Sequence, residues 1–242
     1  MNFTFILGRV RNYPEMLKKI FWWDFIVVSA ALWFLEQNTP FLNDTLSRLT
    51  VSLKTPAFVI DFPGFVIPAI ILAIVSKVWK FHDRLSDVLG IRQRFDLFHV
   101  LMPLAKNSRY DLTEAQVRWI MGSKRLRKLL MSVVFYKYAS SGEGAAVIDR
   151  HYIEQALDQW SWYWVFLDAA FVSMITMLVS IFFIPFFYFL IPLAALVLCC
   201  LMLVTVKRLC VTYAESEVDQ ILNDEKRKSE IKEAFQHALQ IE

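Results

Sequence analysis

WSWYWVFLDAAFVSMITMLVSIFFIPFFYFLIPLAALVLCCLMLVTV, residues 160–206, is 47 residues long and carries one charged side chain, Asp168. Crossing about 30 Å of hydrocarbon takes roughly 20 helical residues. Backbone amides in lipid must be satisfied within the segment, so the crossing structure is a helix. Forty-seven residues are too many for one crossing and suit two joined by a tight turn. Pro185 marks that turn, near residues 183–188. The spans are then residues 162–182 and 186–206, with Pro192 near the start of the second. Trp160, Trp162, Tyr163 and Trp164 form an aromatic belt at the inner interface, where amphipathic rings concentrate.

Upstream, two further apolar runs repeat the pattern. Residues 20–35 hold one acid, Asp24, and are flanked by Lys18, Lys19, Glu36 and Gln37, which can snorkel from a short span. Residues 62–79 form the second run. Asp61 is placed to cap it, Pro63 falls in its first turn and Pro68 predicts a kink. Gly64 and Ala69 permit close helix approach without forming a small-xxx-small pair. Residues 36–56 between the runs read as an external loop. The 57% hydrophobic content is thus gathered into four blocks, and the fold class is all-α: a polytopic helical membrane protein with four transmembrane helices and a helical cytoplasmic domain.

The division follows: 1–79, N-terminal tail and first two spans; 80–159, a cytoplasmic helical domain; 160–206, spans three and four; 207–242, a C-terminal amphipathic helix. In the cytoplasmic domain a helix leaves the membrane through residues 81–89 and stops at Gly90. A second, capped by Thr113, covers 113–138 with an apolar stripe through Val117, Ile120, Leu126, Leu130 and Val133. Residues 140–144 break it. Asp149 opens a helix that has no terminator before the membrane and runs on into the third span. In the tail, Val218, Ile221, Ile231, Phe235 and Ala238 recur at helical spacing, for packing on the cytoplasmic domain or on a second subunit.

Charge sets the orientation. Of 26 Lys and Arg, only Arg48 and Lys54 fall in the outer loop, so both termini and the large insert face the cytoplasm. Residues 3–7 are too short for a signal-peptide core, and Arg9 and Arg11 follow it rather than precede it. The net charge of +3 follows the membrane rather than one face, which argues against nucleic acid as a partner. Cys199, Cys200 and Cys210 carry no disulfide framework and read as buried thiols.

Walker, GxSxG, HExxH and paired CxxC patterns are missing, so the reading is non-enzymatic, with no cofactor and no metal ligand set. His82, Asp83, Arg84, Asp87, Arg92, Arg94 and Asp96 read as charges pairing along a juxtamembrane helix. Ionisable groups inside spans are costly and are functional candidates by default. Asp24, Lys77 and Asp168 are those groups; Asp24 and Lys77 lie at matching depths and are expected to pair, while Asp168 has no evident partner. Lys124, Arg125, Arg127 and Lys128 form a basic amphipathic face toward lipid headgroups or a partner. The expected function is a self-associating protein of the cell inner membrane, an anchor, sensor or pore component whose cytoplasmic domain meets a protein partner or signal. Small membrane components of bacterial defence systems share that layout. The alternative is a small ion or solute transporter or channel using Asp24, Lys77 and Asp168; a membrane enzyme ranks last.

Overall fold

The computed structural model describes residues 8–54, 59–139 and 147–240. The expectations for residues 3–7 and 140–144 lie outside them. The chain is predominantly helical and divides into two compact units: residues 1–82 with 160–206, and residues 83–159 with 207–242.

In the first unit, α1 is Tyr13–Asn38. Asn12 caps it by accepting from the Glu15 amide at 2.9 Å, and the Glu15 carboxylate accepts from the Arg11 amide at 2.9 Å. This exchange satisfies amides that a helix start leaves orphaned. The expected external loop, residues 36–56, holds structure of its own: α2 (Pro40–Ser47) and β1 (Val51–Lys54), which pairs antiparallel with β2 (Val59–Phe62) beyond its end, Val51 opposite Phe62. The second apolar run therefore starts later than expected. Asp61 belongs to β2, where its carboxylate accepts from the Ser52 hydroxyl, and it caps no helix. Helix α3 is Val66–Val78. Pro68 is its third residue, where the missing amide would have had no intrahelical partner, so no kink is called for.

Ala69 and Ala73, both fully buried, give α3 a small-residue seam that packs along α1. That i, i+4 pair is the small-xxx-small motif, one turn beyond Gly64. Lys77 lies over the Phe21 ring and Ser76 bonds to Asp24, so α3 runs antiparallel to α1. Lys80, at φ 49°, ends this segment and separates α3 from α4 (Phe81–Leu89), which the sequence reading had joined. Arg150–Phe183 is one unbroken helix, α10. It starts where the Asp149 carboxylate accepts the His151 amide at 2.8 Å, and it ends just before Pro185. Helix α11, Phe186–Leu222, passes through Pro192 without interruption.

Three helices, α1, α10 and α11, are long and apolar enough to cross a membrane. The 13 residues of α3 extend about 20 Å at 1.5 Å each, short of the hydrocarbon thickness. Its outward residues Ile67, Ile70, Ile71 and Ile74 are exposed, as are Leu190, Ile191, Val197, Leu198, Leu201 and Val204 of α11. Cys200 is exposed on that helix as well, while Cys210 is buried as expected.

In the second unit, Gly90 (φ 65°) ends α4 and opens α5 (Ile91–Phe95). A π-helical segment (Asp96–Leu101) leads into α6 (Met102–Asn107). The helix expected over 113–138 is interrupted. Thr113 and Gln116 form a full capping box for α7 (Glu114–Gly122). Ser123 then caps α8 (Lys124–Met131) by accepting from the Leu126 amide, and a π-helical segment (Ser132–Tyr136) leads into α9 (Lys137–Ala139). The single tail helix expected over 207–242 is divided: residues 207–222, with Val218 and Ile221, continue α11 without a break, and α12 (Glu225–Gln240) follows after Asn223 and Asp224. Of the two fates expected for it, packing on the unit's own helices holds: α12 lies against α6 and α8. Phe235 stacks on Tyr110, and Glu230 accepts from the Tyr138 hydroxyl at 2.9 Å.

Candidate functional site

Three helices of the first unit converge on one cavity. Asp24 comes from the middle of α1, Ser76 from the last turn of α3 and Asp168 from α10. Each stands on the buried stripe of its helix: Asp24 one turn beyond Ile20, Ser76 beyond Ala73, and Asp168 beyond Trp164 and Val165. Trp23 packs on Trp162 with ring centroids 5.3 Å apart, and Trp164 lies against Trp160 and His82. This aromatic packing fixes α10 against α1. Lys19 sits over the Trp162 ring, and Asp24 meets Asp168, so the register rises together and the two helices run in the same direction. Tyr163 and Trp164, expected in an interfacial belt, are interior residues of this unit.

The cavity has a volume of about 330 Å³ and is open on the side of the exposed Leu72, Trp79 and Ile175. Asp24 accepts from the Ser76 hydroxyl at 2.9 Å. Asp168 is 3% exposed, and among the described residues no N–H or hydroxyl donor reaches its carboxyl oxygens; its partner is the Asp24 carboxyl, within hydrogen-bond reach, so the pair can share one proton. The expected Asp24–Lys77 ion pair is not made. The ammonium of Lys77 lies 5.2 Å from the Phe21 ring centroid, and Ser76, one residue earlier, takes the position beside Asp24. The remaining lining is apolar, with Leu32, Leu72, Trp79, Phe171 and Ile175 among it, except for Thr176, whose hydroxyl donates to the Val172 carbonyl at 2.9 Å.

The second unit holds a different polar centre. Arg127 is 2% exposed, so it leaves the basic face expected of Lys124, Arg125 and Lys128, which are exposed. Its Nε lies 3.5 Å from Asp96 Oδ2. Burial pushes the Asp96 carboxyl up to about 6, against the opposing pull of Arg92 and Arg127. Burial alone pushes Glu217 up to about 7. Lys124 pairs with Asp87, and Arg92 with Asp83 at 3.3 Å, so the charged stretch after His82 is a set of structural ion pairs. His99 lies against the Phe95 ring and His151 bonds Gln155 on the surface. Among the described residues no cluster of three metal-ligating side chains forms.

The YmfE protein family matches residues 12–237, nearly the whole chain. The chain belongs to that family. No curated protein and no solved structure matches it. In this YmfE-family chain the sequence reading had singled out Asp24, Lys77 and Asp168 together; the structure joins Asp24 with Asp168, adds Ser76 and leaves Lys77 aside.

A pH dependence follows for the second unit. The folded chain holds the Glu217 proton more tightly than the unfolded chain, because the carboxyl moves from 4.5 to about 7 on burial. Its share of stability is therefore largest below pH 4.5, is lost as pH rises through about 7, and stays lost above. Asp96 adds a drift of the same sign between 3.8 and about 6. Glu217→Gln removes the cost of an ionised buried carboxylate. It should raise stability by up to about 3 kcal/mol at pH 8 and hardly at all at pH 4. Thermal melts of the full chain in micelles at both pH values measure this; equal shifts at both would refute it.

Proposed function

We propose that this YmfE-family protein is a multi-pass protein of the cell inner membrane that relays a signal or partner contact between a cytoplasmic helical unit and a membrane unit. Both termini face the cytoplasm, and the chain self-associates in the bilayer. The observation that carries the reading is the continuity of α10. It has no break at residues 158–164, where polar sequence gives way to apolar sequence. At 1.5 Å per residue its 34 residues extend about 50 Å and the 37 of α11 about 55 Å, each well beyond the hydrocarbon core. The antiparallel run of α3 on α1, with α10 parallel to α1, is the order of successive crossings if α3, at about 20 Å, returns the chain through a locally thinned bilayer. Exposed apolar faces on α3 and α11 support lipid or a second copy as their cover.

Two measurements test this. Reporter fusions at Asn43 and Ser141 should report opposite sides, with Ser141 and the C-terminus inside; labelling of Ser141→Cys by an impermeant reagent in intact cells would overturn the topology. A spin label at Met174 should change mobility when Asp96→Ala disrupts the cytoplasmic unit. It should stop responding when Asp158 and Gln159 are both replaced by glycine, each Gly weakening the helix by about 1 kcal/mol relative to Ala. A response that survives both glycines removes the relay.

A transporter reading draws on the cavity holding Asp24 and Asp168, with no part for Lys77.

A further inference from the structure

We propose that the cavity between α1, α3 and α10 is a binding site for a small amphipathic amine, whose ammonium sits between Asp24 and Asp168 and whose apolar body fills the rest. The inference rests on the cavity alone and not on the relay reading. Three observations carry it. The ionisable groups are gathered on one wall, Asp24 and Asp168 with Ser76, while Thr176, two turns further along α10, gives its hydroxyl to the Val172 carbonyl. The Ser76 hydroxyl is already given to Asp24, while among the described residues the almost fully buried Asp168 has only the Asp24 carboxyl as its partner and receives no N–H or hydroxyl from elsewhere. Among the described residues no Lys or Arg lines the space.

Two carboxyls facing each other in apolar surroundings each make the other's charge more costly, and removal from water adds to it. A cation between them relieves both terms. The chemistry of the walls separates the candidate cations. A proton or bare metal ion would answer the two carboxyls but make no use of the apolar walls, which line about 330 Å³ of space open on one side. A hard metal ion also takes about six or more oxygen ligands, and three side chains offer fewer. An ammonium presents up to three N–H donors, enough to reach both carboxylates. An attached aryl or alkyl body would then meet Leu72, Phe171 and Ile175. The volume lies at the small end of ligand pockets, roughly 300–1,000 Å³, which points to one ring and a short chain.

The test uses the full chain in phosphatidylcholine nanodiscs, with tritiated 4-phenylbutylammonium as the probe and 4-phenylbutan-1-ol as its neutral counterpart. Saturable binding is expected, displaced by unlabelled amine and not by a tenfold greater concentration of the alcohol. Asp168→Asn should weaken binding at least tenfold, and the double change with Asp24→Asn should abolish it. Val172→Phe fills the cavity while keeping both acids, and should also weaken binding about tenfold. Equal displacement by the alcohol, unaltered binding in Asp168→Asn, or the lack of saturable binding in the parent chain would each overturn the proposal. Should Asp168→Asn fail to fold, the amine–alcohol comparison and Val172→Phe decide the matter. If Ser141 proves external yet the amine still binds, only the orientation behind the relay falls; if binding fails while the spin-label response holds, only the site does.

Discussion

Asp96→Ala should destabilise the second unit by about 3–5 kcal/mol, the range seen when one partner of a buried ion pair is removed. The reason lies in Arg127. Arg127 is 2% exposed, and among the described residues the partner of its guanidinium is Asp96, with Nε 3.5 Å from Oδ2. Without Asp96 the charge stays inside, because Arg127 shares its helix stripe with Leu130, Met131 and Val134, all buried. The effect is thus a cost of leaving Arg127 alone more than a loss of attraction. Replacing both residues, Asp96→Ala with Arg127→Met, should restore most of the stability, since an apolar pair of similar size has no charge to desolvate. Melting the full-length single and double variants in micelles gives the cycle. If the double variant is as unstable as Asp96→Ala, the buried-charge explanation fails.

How far the sequence goes can be judged from that same arginine. Helix existence was legible wherever an apolar run reached 16 residues, so α1, α10 and α11 are found, although α1 starts seven residues before its run and α11 continues sixteen residues beyond its run. The start of α3 was not. Val59, Ile60 and Phe62 are apolar in a hairpin as in a helix, and a short apolar run does not distinguish the two. Arg127 was grouped with Lys124, Arg125 and Lys128 by adjacency, although its spacing of three, four and seven from Leu130, Met131 and Val134 already placed it on the buried stripe. Asp168 was legible as a costly intramembrane acid, and its stripe with Trp164 and Val165 points inward. Its meeting with Asp24 was not, because the register between two helices 144 residues apart is set by packing, here Trp23 on Trp162, and not by either helix's own period. The break at Ser123 was hidden as well. The apolar stripe continues across it, and only the two caps, Thr113 and Ser123, reveal two helices.

Gly64→Val should cost about 3 kcal/mol or more, at the upper end of what overpacking does. A Cβ on Gly64 would lie 1.6 Å from the Leu46 carbonyl oxygen and 2.4 Å from its carbon. Both are backbone atoms of α2, so no side chain can rotate away, and α2 or the start of α3 must move instead. Moving α3 shifts Ala69 and Ala73 out of their seam on α1 and carries Ser76 away from Asp24, so the cavity loses one wall. Because the first added carbon already collides, Gly64→Ala should be nearly as damaging as Gly64→Val. That near-equality marks a backbone clash; a crowded pocket would instead give a graded series. Gly122 supplies the contrast. It is the last residue of α7, with nothing within 4 Å of a Cβ and no left-handed φ. Gly122→Ala should therefore be neutral or stabilising by about 0.5–1 kcal/mol, through reduced freedom of the unfolded chain. Thermal melts of the three single variants provide the comparison. A Gly64→Ala chain as stable as Gly122→Ala would mean that α2 yields freely, and that the contact does not hold α3 in place.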